Sequence, residues 1–124
     1  MLLLFHTHLK TLILFLCCLS TSLWSQEVTL ENIGTFEGKI VTFCAPITGT
    51  YQTKGERKVT YLNFGKAYPN HSFTVVFFEK ALKTFSYDPL TLKGKQVCIM
   101  GKVGFYKEKP QIVLYDEKDL KVED

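Results

Sequence analysis

From Lys39 onward the chain reads as short apolar runs divided by turn residues. Between Lys39 and Thr50, Val41, Phe43 and Ala45 alternate with Thr42 and Cys44, the period-two pattern of a strand with one buried face. Pro46 interrupts that run; having no N–H to give a ladder, it implies an edge position or a bulge. The polar turn Gln52–Glu56 leads to a second strand, Lys58 to Phe64, and the turn signal Pro69-Asn70 to a third, Ser72 to Phe78. The third is apolar almost throughout, so alternation does not distinguish its faces. Glu79 to Phe85 reads as a short helix with Phe78, Leu82 and Phe85 on one side. Asp88-Pro89 supplies an N-cap and a first-turn proline for one more helical turn. A fourth strand is expected from Gln96 to Tyr106, a turn at Lys107–Pro110, and a fifth strand from Gln111 to Tyr115. Upstream, Thr29–Gly34 forms one helical turn in which Leu30 and Ile33 dock and Gly34 ends it.

The element order is β-β-β-α-β-β in fewer than 100 residues. That predicts an all-β protein, a five-stranded OB-fold Greek-key barrel with one short helix between strands three and four. An SH3-like barrel is the alternative, but it lacks that helix.

The segments Gly38–Cys44, Tyr61–Asn70, Phe73–Val76, Lys93–Cys98, Gly101–Val103 and Tyr106–Ile112 together resemble small bacterial OB-fold domains of the nucleic-acid-binding-like kind. They are more distantly similar to anticodon-binding OB domains. The resemblance spans about Leu30 to Leu114. It departs from the pattern at Pro46, where a ladder-compatible residue is expected, and at Glu108, where a turn glycine is usual for a tight hairpin. It implies a fold more specifically than a ligand, because OB barrels take nucleic acids, oligosaccharides and proteins alike.

Residues 1–25 read differently. Lys10 precedes the apolar run Leu12–Leu19, which is followed by Ser20, Thr21 and Ser22, with Ser25 before Gln26 as the cleavage point. This is the layout of an exported protein's signal peptide, and the run is too short to span a bilayer. The rivals are a lipid anchor at Cys17 or Cys18 and a buried helix. The remaining 26–124 is expected to be a single domain ending in an acidic tail, 116–124, periplasmic or extracellular, with no integral membrane segment. Two of the chain's four cysteines leave with the leader, so Cys44 and Cys98 remain. Alternation turns both outward, on strands that are antiparallel neighbours in such a barrel, which predicts a cross-strand disulfide. The alternative is two separate thiols.

Residues 26–115 carry twelve basic and seven acidic residues, and 116–124 two basic and five acidic. The body is mildly basic and the tail acidic and solvated, which excludes a charge-dominated DNA-coating protein.

An OB barrel binds through the face of its second and third strands and the loops beside it. Here the first loop region offers Tyr51, Lys54, Arg57 and Lys58. The fourth-to-fifth turn offers Tyr106, Lys107 and Lys109, and Tyr61, Lys66, Tyr68 and His71 lie between. With Leu62 and Phe64 inward, Tyr61 and Asn63 turn outward. Rings that stack bases, interleaved with cations that track phosphates, suit single-stranded nucleic acid. The competing reading is ordinary loop polarity. His71 reads as an exposed turn residue. The acids are scattered or gathered in the tail, so no convergent carboxylates predict a metal-dependent nuclease. With one histidine after residue 25, no zinc ligand set is expected. The expectation is therefore a non-catalytic module without metal or cofactor, binding single-stranded nucleic acid. An envelope module for a protein or oligosaccharide is the alternative, and a nuclease-associated accessory domain the third reading.

Overall fold

The computed structural model describes residues 26–124; the leader reading concerns residues outside that range. Six strands form, β1 (Ile40–Gln52), β2 (Val59–Gly65), β3 (His71–Phe78), β4 (Gln96–Tyr106), β5 (Lys109–Val113) and β6 (Leu120–Val122). β1 pairs with β2, β2 with β3, β3 in parallel with β5, β5 with β4, and β4 back with β1. That circuit is a closed five-stranded barrel with a short helix, α1 (Glu79–Leu82), between β3 and β4. It is the pairing of an OB-type barrel. No helix among the described residues is long and apolar enough to cross a membrane.

β1 is long because it serves two partners. Ile40–Pro46 pairs with β4 and Ile47–Gln52 with β2, and a bulge lies between Ile47 and Gly49. Pro46 is the last residue of the β4 ladder, just before that bulge. The Cα atoms of Cys44 and Cys98 are 4.1 Å apart, the spacing of a non-hydrogen-bonded pair. Two residues on, Pro46 occupies the same kind of position and owes β4 no N–H. β4 divides likewise between β1 (through Lys102) and β5 (from Val103). At its bend a Cβ on Gly101 would run into the Ile112 side chain, so glycine is needed for close approach.

Alternation fills the interior. Val41, Phe43, Leu62, Phe64, Phe73, Val75 and Phe77 are buried in one core, and the rings of Phe43, Phe64 and Phe73 lie 5.1–5.5 Å apart. The helical segment closes one end. Phe85 stacks on Phe77 at 4.9 Å, and a 3₁₀ turn, Pro89–Leu92, is capped by the Asp88 carboxylate accepting from Leu90 N–H at 3.0 Å.

Several expectations are corrected. The helix lasts one turn, and Phe78 is not on its buried side: it is 53% exposed, and Phe77 takes the inward position. Gly34 does not end the N-terminal turn but lies inside the 3₁₀ segment Ile33–Phe36, with Ile33 fully buried. The fourth-to-fifth turn is tighter than expected, two residues long, with Lys107 and Glu108 at φ 48° and 66° between paired Tyr106 and Lys109. Positive φ at both central positions is the type I′ hairpin turn, adopted here without glycine because its twist matches the strands it joins. His71 opens β3, half-buried, rather than sitting in an exposed turn. The acidic tail is not free: Leu120 is 5% exposed, β6 pairs with β4, and Glu117 accepts hydrogen bonds from Ser86 N–H and Oγ–H at 3.1 and 2.7 Å.

Candidate functional site

The outer face of β1, β2, β3 and β5 is organised in rungs that the register defines. In one rung Tyr51 pairs with Tyr61, Tyr61 with Val76, and Val76 with Val113. The two tyrosine rings lie 6.1 Å apart at 31°, and Tyr51 is exposed. Further toward the β1–β2 loop, alternation places Val59, Phe78 and Tyr115 on the same face, the last two 53% and 76% exposed. This end is an aromatic and aliphatic platform.

The next rung is polar and low. Gly49 pairs with Asn63, Asn63 with Thr74, Thr74 with Gln111, and Gln111 with Gly104. Thr74 Oγ1 donates to Asn63 Oδ1 at 3.1 Å, which fixes the amide so that its Nδ2 lies toward Gly49, 3.9 Å from where a Cβ there would be. A Cβ on Gly104 would meet nothing within 4 Å. Glycines at both ends and the buried side chains of Asn63 and Thr74 make this rung the low part of the face, a trough that half-buried Gln111 borders.

Beyond the trough, about 13 Å along β2 from Tyr61, lie the β2–β3 loop and the β4–β5 turn. Tyr68, 77% exposed, stacks on the His71 ring at 5.5 Å and 18°. Lys109 Nζ donates to the Pro69 carbonyl at 2.8 Å, tying the two loops together. Lys107 Nζ stands 5.4 Å from the centre of the Tyr106 ring, within cation–π range. His71 Nδ1 is buried without a hydrogen-bond partner among the described residues. Burial, and secondarily the charge of Lys109, holds its imidazole below the usual 6.5.

The residues predicted from sequence therefore fall into two groups on one face. Tyr51 and Tyr61 stand beside the β1–β2 loop that bears Lys54, Arg57 and Lys58, all exposed. Lys66, Tyr68, Tyr106, Lys107 and Lys109 gather at the opposite end of the strands, Lys109 half-buried and the others exposed. The three connections β1–β2, β2–β3 and β4–β5, with Lys109 at the start of β5, carry six cations and two carboxylates, Glu56 and Glu108. Phe78, Tyr115, Thr74 and Gln111 belong to the same face and are not among the residues predicted from sequence. Alternation from Leu114, buried at 1%, was the available signal for Tyr115. None existed for Phe78 in an unbroken apolar strand.

The opposite wall, β1–β4–β6, holds the predicted disulfide. Cys44 pairs with Cys98 across the ladder and their sulfurs are bonded. No family model matches the chain, and no curated protein matches it.

Proposed function

We propose that this protein is an exported, non-catalytic binding module that takes single-stranded nucleic acid across the outer face of β1, β2, β3 and β5. The observation that carries this reading is the pairing of outward rings with cations at both ends of one face: exposed Tyr51 and half-buried Tyr61 beside Lys54, Arg57 and Lys58, and exposed Tyr68 and Tyr106 beside Lys66, Lys107 and Lys109. Bases stack on rings of any sequence context, while the cations neutralise phosphates and release counterions. The disulfide supports an oxidising compartment, and the leader-like residues 1–25 supply the route there.

The trough supports a second reading, an oligosaccharide or a protein as ligand. Asn63, Thr74 and Gln111 are uncharged groups suited to hydroxyls or amides. One titration separates the two. Anisotropy of a labelled single strand is expected to rise at micromolar protein in low salt and collapse as salt increases. An absence of binding at low salt, where attraction is strongest, rejects nucleic acid and leaves the uncharged ligand. Mass analysis of protein from its host is expected to find a chain starting at Gln26; an intact Met1 would reject export by cleavage.

A further inference from the structure

The outer surface of the β1–β4–β6 wall brings three metal-ligating side chains to one point. Cys44, Cys98 and Glu123 offer two sulfurs and a carboxylate oxygen that all lie within 4.8 Å of one another. The Glu123 Oε1 atom is 2.8 Å from Cys98 Sγ. A disulfide sulfur has no proton to donate, so that approach is a placement made by the strands. β6 pairs Lys121 with Cys98, and Glu123 N–H then donates to the Gln96 carbonyl at 2.8 Å. Two residues beyond Lys121, the Glu123 side chain returns to the cysteines' side of the sheet.

Cys44 is exposed and Cys98 half-buried, so an external reductant can reach the bond. The backbone around it does not depend on it. Seven consecutive pairs join β1 to β4, and β6 backs Cys98 along the other edge of β4.

We infer that, when its disulfide is reduced, this chain binds a thiophilic divalent cation such as zinc through Cys44 Sγ, Cys98 Sγ and the Glu123 carboxylate. A dithiol reductant delivers two electrons and two protons to the S–S bond, yielding two thiols and leaving as its own disulfide. The cation displaces both thiol protons to solvent. Tetrahedral zinc holds thiolates about 3.8 Å apart, given Zn–S bonds of about 2.3 Å. Rotation of the two side chains about their Cα–Cβ bonds opens the sulfurs to that spacing. The carboxylate is the third ligand and water the fourth, an open tetrahedral set. Oxidation removes both sulfur ligands at once, so the site is gated by redox state.

The test uses the chain from Gln26 onward, fully oxidised or reduced with a non-chelating phosphine, titrated with Zn²⁺ by calorimetry and with Co²⁺ by absorption. The reduced protein is expected to bind one ion per chain and to show the sulfur-to-cobalt charge-transfer band; the oxidised protein is expected to do neither. Glu123→Gln is expected to weaken zinc roughly tenfold or more, at least the loss that even an outer-shell partner brings. Cys44→Ser is expected to abolish the charge-transfer band given by two thiolates. Zinc is also expected to raise the melting midpoint of the reduced protein, because it binds the folded ladder. The inference is overturned if reduced protein binds zinc no better than the oxidised form, if Glu123→Gln binds undiminished, or if circular dichroism shows the reduced chain unfolded.

Discussion

The two outer walls of the barrel share β1 yet are finished in opposite ways. On the β1–β4–β6 wall the outward positions are spanned covalently, Cys44 to Cys98, and flanked by the short strand β6. On the β1–β2–β3–β5 wall the outward positions are rings, glycines and short polar groups, with cations at either end. Both walls bury equivalent inward residues in one core. The difference teaches that alternation commits only half of each strand to the fold. The other half is free to differ, one wall closed by a covalent bond and the other carrying the rings and cations of the proposed binding face.

That division can be broken most severely by reduction. Opening a loop closed over 54 residues is expected to cost about 4 kcal/mol on the chain-entropy model, read as a shifted urea midpoint with and without reductant. Oligonucleotide affinity under folding conditions is expected to stay unchanged, since the bond lies on the other wall; a parallel loss would dissolve the contrast. Next come the rings. Tyr61→Ala and Phe78→Ala are each expected to lose about 1–3 kcal/mol of single-strand binding, whereas Met100→Ala, exposed on the disulfide wall, is expected to lose none. Glu108→Gly is expected to stabilise the fold by about 1 kcal/mol, because glycine adopts positive φ without a Cβ penalty. Lys107→Ala is expected to reduce the slope of log affinity against log salt by about 0.7.

The smallest effect is a pH dependence that arises at His71, beside the proposed binding face. The imidazole of His71 is held below 6.5 chiefly by burial. The unfolded chain therefore binds its proton first as pH falls. The contribution of His71 is complete above about 6.5 and is lost progressively as pH drops below that value toward the folded pKa. His71→Gln is expected to flatten the melting midpoint across that window. An unchanged profile would place the acid sensitivity elsewhere.

Much of this division is legible in the sequence, and the limits have physical causes. Val41, Phe43 and Ala45 against Thr42 and Cys44 reveal the faces of β1, and Val97 and Ile99 do the same for β4; that is enough to bring the cysteines together. β4 begins and ends at Gln96 and Tyr106 as the pattern predicts, and Asp88 caps as expected. β3 withholds its faces because Phe73, Val75 and Phe77 differ little in polarity from Val76 and Phe78, leaving the aromatic platform half visible. β6 is hidden for another reason. Three residues with one buried apolar side chain, Leu120, carry almost no periodic signal, and the strand forms because β4 presents an open edge beside Val97–Ile99. The trough was equally hidden, since glycines at 49 and 104 become its ends only through register.

The parallel pairing of β3 with β5 also determines how the chain must be assembled. Hairpins form early because their partners are neighbours, whereas this contact waits for everything between. Topologies dominated by distant pairings fold in milliseconds to seconds rather than microseconds. A chain emerging N-terminus first completes the β1–β2–β3 meander while β5 does not yet exist. During that interval Phe73–Phe78, β-prone, uncharged and free of proline and glycine, offers an open edge of the kind that templates intermolecular strands. The five residues of β5 are thus what removes that hazard. Any fragment ending before Lys109 is expected to aggregate through β3, however well its own hairpins form.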